Sequence, residues 1–568
     1  MRYGKGFIGL FTAALLAVAV FFGTREYAWD GTVGLTVEVS NQGNTETIRC
    51  WESDGGDYYV FLPAYADLGQ VWLRTNTRRP VYLDDQIVED GMCKENLLLG
   101  VQYDLSFGSS RHFKLTFLQS ANVPTMYIDT ASGNMEHIHE EKGNEEKGTI
   151  RVYTAEGSLN HSGSLESIKG RGNATWLRTK KPYSLQLHTE ADLLDMGQAQ
   201  NWILLANAYD TSNVRNQLAY DLARDGGLAF SPEARWVDLY LNGTYAGLYT
   251  LCERNEVHPQ RVDIAQKGSF LVSMELQYRL EEQGLPYVTT DSGVAFRIHY
   301  ADMDTDTLRQ ILQSAENAIL SEDGIDPATG KSWTELIDQD SFAKKYLLEE
   351  ILANYDAGAV SQYFYFDGSD PSGKLYAGPA WDYDNTLGSR EWQNMAPQAL
   401  LANRPHISSE TDAPWYFALY HKEAFLERVE ELYTTVFRPL TMQLLETGID
   451  GYLQQLQTAA DNNALRWSAA DYREDGEAAA DYLAERMAFL DSLWIDHVPY
   501  CTVQVFDQVS TWGCFAVLPG DKLPQLPEYD TAMYAGWYRV DTGEPVDITQ
   551  PVLEDMVIRL KPVSAENQ

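Results

Sequence analysis

The sequence predicts an α+β fold, because strand-like segments come first along the chain, helical segments follow, and strands return at the carboxyl end. Leu35, Val37 and Val39 alternate with polar residues, which is the period of a half-buried strand. Apolar residues at helical spacing appear in several stretches between 305 and 495,. A chain of 568 residues is too long for one core, so we expect one large domain with appendages.

Changes of composition divide the chain into four predicted units. They are a signal peptide or signal anchor at 1–27, an N-terminal β module at 28–118, a central domain at 119–497 and a C-terminal β module at 498–568. Arg2 and Lys5 precede the uncharged run from Phe7 to Phe22, as in a secretory signal,. We favour an uncleaved anchor, and the positive-inside rule then places the remaining chain outside the cytoplasm, anchored to the membrane or secreted.

The charge balance argues against one class of partner. Lys and Arg total 43 against 82 Asp and Glu, a net charge of −39. Nucleic-acid binding depends on Lys and Arg that displace counterions from phosphates, so we predict no nucleic-acid partner. A soluble acidic surface explains the excess, although a metal site would also use clustered carboxylates.

The five cysteines predict two disulfide bonds within the β modules of an exported protein. Cys50 and Cys93 both lie in the N-terminal module, and Cys501 and Cys514 both lie in the C-terminal module. We therefore expect each pair to be bonded and Cys252 to be a buried thiol. No pair has CxxC spacing, which argues against a structural zinc site.

Three local patterns place elements of the central domain. Alternating apolar residues on both sides of Asn242-Gly243 predict a hairpin with a two-residue turn,. Ser212 or Asn213 is expected to cap a helix that follows it. The charged stretch at 136–148 is expected to form a solvated turn rather than a metal site, because nothing completes a coordination set around its histidines.

Asp382 and Asp384 are the best candidates for a metal site. They lie two residues apart in KLYAGPAWDYDNTLG, and in a strand both carboxylates would point to one side. Magnesium prefers such oxygen ligands. Surface pairs of this kind are common, but flanking Trp381, Tyr383 and Leu387 give an apolar setting in which paired carboxylates need a cation,.

Two upstream segments offer further parts of a phosphate-transfer site. Asp356 follows a predicted helix and precedes a strand-like run, where a catalytic base is often carried. Taken alone, however, Asp356 is better explained as an aspartate that caps a turn at the end of a helix. Arg171-Gly172-Asn173 forms a glycine-containing turn whose amides can approach phosphate, and Lys180 or Lys181 follows on a predicted strand,.

Five motifs, in order, resemble the CotH (spore coat protein H) kinase family. They are IKGRGNATWLRTKKPYSLQL, NWILLANAYDTSNVRNQLAYDLAR, VDLYLNGTYAGLYTLCERNE, FLVSMEL and GPAWDYDNTLG. The likeness extends over about 120–495 and implies a divergent protein-kinase-like fold for the central domain. The segment GWYRVDTGEPVDITQPVLEDMVIRL resembles an internalin-type B-repeat, a β-grasp-like module, which implies attachment or adhesion.

The resemblance implies transfer of the γ-phosphate of ATP, with Mg²⁺ or Mn²⁺, to serine in surface or coat proteins. The residues that it implies are Asp382 for the metal with Asp384 assisting, Asp356 as catalytic base, Lys181 at the phosphates, and Arg171, Asn173 and Arg215 around the nucleotide. Where a kinase catalytic loop has an Asn for the second metal, this chain has Ser361, and the next residue, Gln362, offers a carbonyl oxygen,.

Two other functions stay open. In the first, the kinase-like domain is a catalytically inactive scaffold in a cell-surface binding or adhesion protein. In the second, the domain is a glycoside hydrolase that uses Asp356 and Asp382, since two carboxylates are the minimum that glycoside hydrolysis requires. The lysine and the Arg171-Gly172-Asn173 turn favour the phosphotransferase over the hydrolase. The presence of Asp356, Asp382 and Lys181 together favours it over the scaffold.

Overall fold

The computed structural model describes residues 34–563, except 78, 109–111, 390–395, 405, 409–410, 413, 507–510, 524–525 and 527. These residues form a mixed α+β fold, which confirms the predicted class. The predicted signal segment lies outside them. Among the described residues, no helix is both long and apolar enough to span a membrane.

The first ten strands form two sheets, with the orders β2-β1-β5-β8 and β3-β4-β10-β9-β6-β7. Their core is shared with four tyrosines of the next unit, so the two pack as neighbours. The strands are β1 (Leu35–Asn41), β2 (Asn44–Arg49), β3 (Trp51–Glu52), β4 (Tyr58–Leu62), β5 (Val71–Thr75), β6 (Val81–Leu83), β7 (Gln86–Val88), β8 (Met92–Cys93), β9 (Gln102–Phe107) and β10 (His112–Gln119).

Seven strands then close a barrel in the order β11-β12-β13-β14-β15-β17-β16. The predicted hairpin is confirmed as β16–β17, and Asn242 and Gly243 both have positive φ angles, as its tight turn requires,. The elements are β11 (Thr125–Thr130), α1 (Glu136–Glu140), β12 (Glu145–Tyr153), β13 (Leu159–Gly170), β14 (Tyr183–Asp192), β15 (Gln198–Leu205), α2 (Arg215–Asp225), β16 (Ala234–Leu241) and β17 (Thr244–Glu253).

Two local predictions in the barrel region are wrong. Residues 136–140 form helix α1 rather than a turn, because Ile138 is buried and His139 Nε2 hydrogen-bonds Tyr183 Oη at 2.7 Å. Neither Ser212 nor Asn213 is the residue before helix α2, which is Val214 and caps no amide. Instead, Asp210 Oδ2 accepts the amide of Arg215 at 2.9 Å.

A five-stranded sheet in the order β19-β20-β18-β21-β22 follows the barrel. We call it the second sheet, because it comes after the barrel in the central domain. Helices cover one of its faces and form the largest core cluster with it. The elements are β18 (Phe270–Met274), α3 (Gln277–Glu282), β19 (Tyr287–Thr289), β20 (Ala295–Ala301), α4 (Thr305–Leu320), α5 (Trp333–Leu336), α6 (Gln339–Ile351), β21 (Gln362–Phe366) and β22 (Leu375–Ala377).

After the short two-stranded sheet of β23 and β24, the chain is mainly helical up to residue 494 and then β-rich. A four-stranded sheet in the order β26-β25-β28-β27 ends it. The elements are β23 (His406–Ser408), β24 (Thr411–Asp412), α7 (Pro414–Tyr420), α8 (Glu423–Leu432), α9 (Arg438–Gln443), α10 (Ile449–Trp467), α11 (Tyr472–Trp494), β25 (Cys501–Phe506), β26 (Thr511–Val517), β27 (Tyr534–Arg539) and β28 (Met556–Pro562), with π-helical turns at Tyr433–Phe437 and Leu444–Gly448.

All five cysteines, each within the described residues, are free thiols, so both predicted disulfide bonds are wrong. Cys501 packs with Val503 on one face of its sheet. Cys514 belongs to a different cluster and pairs with Gln504 across the strands. Because neighbouring residues of a strand face opposite sides, the two sulfurs lie on opposite faces of the sheet. Cys252 is buried, as predicted.

In the N-terminal module, the two thiols have separate hydrogen-bond partners. Cys50 is buried and its thiol donates to the Leu35 carbonyl at 3.4 Å. The Cys93 thiol donates to the Gly69 carbonyl at 3.4 Å. Membership of one module therefore does not bring the two sulfurs together.

Candidate functional site

The barrel and the second sheet meet at the segment that carries Asp382. The Arg171 guanidinium, just after β13, lies over the Trp381 ring with 5.3 Å between Cζ and the ring centroid. After β17, Asn255 Nδ2 donates to the Ala380 carbonyl at 3.2 Å. The structure therefore brings the predicted Arg171-Gly172-Asn173 turn beside the predicted metal ligand.

Asp382 lies in an irregular loop, so the condition under which both carboxylates would point to one side, a strand, is not met. Strand β22 ends at Ala377, and Asp382 has a φ of 69°. Its Oδ2 accepts a hydrogen bond of 3.0 Å from Ser361 Oγ, and Ser361 itself has a φ of 57°. Strand alternation therefore does not set the direction of the Asp384 side chain, which is half-buried beyond the fully buried Tyr383.

Asp356 lies in the turn between α6 and β21, as predicted, and it contacts the loop of Asp382. Asn385 Nδ2 lies 3.4 Å from Asp356 Oδ2, and the Tyr355 amide donates to the Asn385 carbonyl at 3.3 Å. Asn385 was not among the residues predicted from the sequence. Its place directly after Asp384, in an apolar segment, was the available signal.

The oxygen atoms on these two loops are of the kind that a hard cation prefers. They include the Asp382 carboxylate and the Ser361 hydroxyl, and the Asn385 Oδ1, which is buried and has no hydrogen-bond partner among the described residues. No group of three or more His, Cys, Asp or Glu that could hold a metal occurs in the described part of the chain. This donor set suits Mg²⁺, which uses one or two carboxylates together with substrate phosphates and water.

Gln362 forms no hydrogen bond with Asp382 in the described part of the chain, and its Nε2 donates to the Val360 carbonyl at 3.3 Å. It is fully buried and shares a strand face with Phe364, whose ring packs against Phe342 of α6 and Trp415 of α7,. Tyr363 faces the other way, and its ring lies 6.5 Å from that of Trp381. Gln362 Oε1 has no hydrogen-bond partner within the described residues. The role of Gln362 at a second metal stays a prediction.

Four cations lie near Asp382 and Tyr363, although the chain is strongly acidic. Burial raises the pKa of Tyr363 to about 12, while the charges of Arg297, Arg171 and Arg254 act in the opposite direction. Burial, reinforced by Arg297 and Arg171, lowers the pKa of Lys142. None of these four cations forms an ion pair with a described residue. The Asp382 carboxylate acts on Tyr363 with the opposite sign, but four cations near one carboxylate leave an excess of positive charge that attracts anions.

Arg254 and Arg297 were not identified from the sequence. Arg254 follows β17 within the CERNE segment, and Arg297 lies on β20. They approach one another only because the barrel packs against the second sheet. No local pattern signals that approach.

The Arg171-Gly172-Asn173 turn is held from both sides. Lys142 Nζ donates to the Gly172 carbonyl at 3.0 Å and lies 3.4 Å from Asn173 Oδ1. Gln283 Nε2 lies 3.3 Å from the same oxygen. Asn173 therefore fixes the shape of the turn, and its predicted place around a nucleotide stays a prediction.

The two lysines after this turn lie before β14, and not on a strand as predicted. Lys181 Nζ donates to the Trp176 carbonyl at 2.6 Å and lies over the Trp176 ring, so it closes its own loop. Lys180 is buried and donates to the Leu248 carbonyl, and burial lowers its pKa to about 7. The phosphate contact expected of Lys181 stays a prediction.

Arg215 is buried behind the Asp382 loop. Its guanidinium pairs with Asp210 and Asp475, each at 2.7 Å, and its Nε donates to the Thr386 carbonyl at 3.1 Å. Arg215 thus supports the loop from within. Its predicted position around the nucleotide has no direct contact to support it.

A family profile described as CotH kinase protein matches residues 168–490, which is over half of the chain. A search of curated proteins found no match. The matched range includes Arg171, Asp356 and Asp382 and ends before the C-terminal sheet, so the internalin-type resemblance stays a prediction. This chain therefore belongs to the CotH kinase protein family.

Proposed function

We propose that this protein is an exported phosphotransferase that moves the γ-phosphate of ATP to serine in surface or coat proteins. Membership of the CotH kinase family supports kinase-like chemistry and a divergent protein-kinase-like fold of the central domain. The uncharged run from Phe7 to Phe22 supports export and a membrane anchor,.

The proposal rests on a group of four cations near Asp382 that form no ion pair with any residue that the structure describes. Lys142, Arg171, Arg254 and Arg297 repel one another, although 82 acidic residues are available in the chain to neutralise them. Clustered like charges are unfavourable unless a counter-charge binds. A nucleotide polyphosphate supplies that counter-charge.

Each residue at the site has a distinct task in this proposal. Arg171, Arg254 and Arg297 hold the phosphates, and Asp356 accepts the proton of the serine hydroxyl. Asp382, with the oxygens of Ser361 and Asn385, would hold Mg²⁺, which neutralises phosphate charge when bound. Asp384 stands next to this set and assists it.

Substitution of the two aspartates tests the proposal, because a metal ligand and a base fail differently. Asp382→Asn should abolish metal-dependent ATP binding, measured by calorimetry. Asp356→Asn should leave ATP affinity unchanged and reduce the turnover of phosphate transfer by about 10²- to 10⁴-fold. Asparagine is chosen because it tolerates the positive φ of Asp382,.

An exposed carboxylate of the same region provides the control. Asp263→Asn changes an equal charge on the surface and should alter neither binding nor turnover. If the wild-type protein neither binds ATP with Mg²⁺ or Mn²⁺ nor phosphorylates itself or a surface protein, the kinase proposal is wrong. The scaffold function then takes its place.

A further inference from the structure

A buried carboxylate on helix α6 contacts both loops of the candidate site. Glu349 is fully buried, and its Oε1 accepts a hydrogen bond of 2.7 Å from the Tyr383 hydroxyl, next to Asp382. Its Oε2 accepts a hydrogen bond of 2.6 Å from Asn354 Nδ2. Asn354 Oδ1 in turn accepts the amide of Asp356 at 3.0 Å.

The charge of Glu349 is compensated inside the protein. Lys345, one helical turn earlier and equally buried, donates to Glu349 Oε1 and lies 2.7 Å from the Tyr383 hydroxyl. A buried carboxylate without donors would be costly, and hydrogen bonds to a charged acceptor are about twice as strong as neutral ones. The donors on the two loops are therefore held firmly at one point.

We infer that Glu349 is a positioning residue that fixes the Asp356 loop and the Asp382 loop relative to one another. One oxygen of its carboxylate holds the residue after Asp382, and the other holds the residue that anchors the amide of Asp356. Glu349 itself lies behind both loops and needs no contact with a substrate. The catalytic meaning of this inference rests on the proposed function.

The neighbouring residue on the helix provides a matched control. Glu350 is also fully buried, but it accepts the amides of Leu401, Ala402 and Asn403 at 2.9–3.0 Å and pairs with Arg486 at 2.7 Å. Glu350→Gln therefore removes an equal buried charge from the same helix. It weakens a different loop.

Hydrogen–deuterium exchange of the full chain tests the inference without nucleotide. In Glu349→Gln, the amides of 353–361 and 381–388 should exchange at least about 10-fold faster than in the wild type, because both loops lose a charged acceptor. In Glu350→Gln, 399–403 should accelerate while 381–388 keeps its rates. The 353–361 amides are not part of this control, because Arg404 donates to the Tyr355 and Ala357 carbonyls. Unchanged exchange in Glu349→Gln, or acceleration of one loop alone, would overturn the inference.

A smaller change serves if Glu349→Gln does not fold. Tyr383→Phe removes one hydroxyl and should accelerate exchange in 381–388 directly and in 353–361 through Glu349. Acceleration confined to 381–388 would show that the carboxylate does not couple the loops, and would refute the inference.

Kinetics separate the inference from the proposed function. If the wild type transfers phosphate, Glu349→Gln should lower kcat about 10- to 100-fold with the KM for ATP nearly unchanged, because misplaced groups act on the transition state. An unchanged kcat would contradict a positioning role. If the wild type transfers no phosphate, the proposed function fails, and the exchange experiment alone still decides whether Glu349 couples the loops.

Discussion

Asp382 and Ser361 hold unusual backbone conformations side by side. Both are non-glycine residues with positive φ, and they are joined by a hydrogen bond from different loops. Each such conformation costs on the order of 1–3 kcal/mol and persists only where surrounding structure imposes it, often at functional sites. The bonds of Glu349, Asn354 and Arg215 supply that constraint here.

His299 makes the stability of the fold depend on pH. Its Nε2 hydrogen-bonds Ser273 Oγ at 2.8 Å, and burial, together with the charges of Arg297 and Arg254, lowers its pKa to about 3. The pKa of an unfolded histidine is about 6.5. The folded state thus binds fewer protons between these values, so this contribution is complete above pH 6.5 and is lost as the pH falls towards 3.

Denaturant unfolding of the wild type and His299→Gln measures this effect. Glutamine can still hydrogen-bond Ser273 but does not titrate. Between pH 6.5 and 5, the wild type should lose up to about 2 kcal/mol more unfolding free energy than the variant, at about 1.4 kcal/mol per pH unit. Parallel pH profiles would show that His299 titrates normally in the folded protein.

The cysteines give a second test at the scale of single residues. Burial raises the pKa of Cys50, Cys252 and Cys514 to about 12 and also raises the pKa of Cys501, whereas Cys93 is partly exposed. Because the thiolate is the reactive form, the native protein should be alkylated at Cys93 alone. Without reductant, the denatured protein should be alkylated at all five cysteines. Alkylation at only three would mean that one of the predicted disulfide bonds forms, and alkylation at only one would mean that both form.

At the scale of elements, patterns local in the sequence gave correct predictions. The β16–β17 hairpin follows from Asn242-Gly243 between alternating apolar residues, and α4 follows from Leu308 to Ile319. The apolar residues of the segment after β22 are compatible with a strand, but the segment forms an irregular loop. Trp381 and Tyr383 are buried by contacts with the barrel and α6, through Arg171 and Glu349, and not by strand pairing.

The candidate site shows the same limit. Asp356 and Asp382 could be identified from the sequence, because each lies within a short continuous segment with a recognisable pattern. Arg254 and Arg297 come from separate sheets, and only the packing of the barrel against the second sheet brings their charges together at Tyr363. Lys181 Nζ donates to the carbonyl of Trp176, five residues earlier, so its expected contact with the phosphates stays a prediction.

At the scale of the whole molecule, the C-terminal sheet is packed close to the candidate site. Cys514 on β26 forms a buried cluster with Ala353, Ala399 and Leu401. The Ala516 amide lies 3.3 Å from the Gln398 carbonyl, and Glu350 and Arg486 hold the 399–403 segment from the other side. The sheet therefore covers a loop that adjoins the turn leading to Asp356.

This arrangement predicts that the C-terminal sheet and the central domain unfold together. Cys514→Glu places an unpaired carboxylate in the buried cluster, which should cost about 3 kcal/mol or more and separate one calorimetric transition into two. Leu518→Glu, one residue after β26 at a position that is 41% exposed, is the control and should keep one transition near the wild-type temperature. If both variants show the same calorimetric transitions, the sheet is an independent appendage. The attachment role expected of the C-terminal module would then need no coupling to the candidate site.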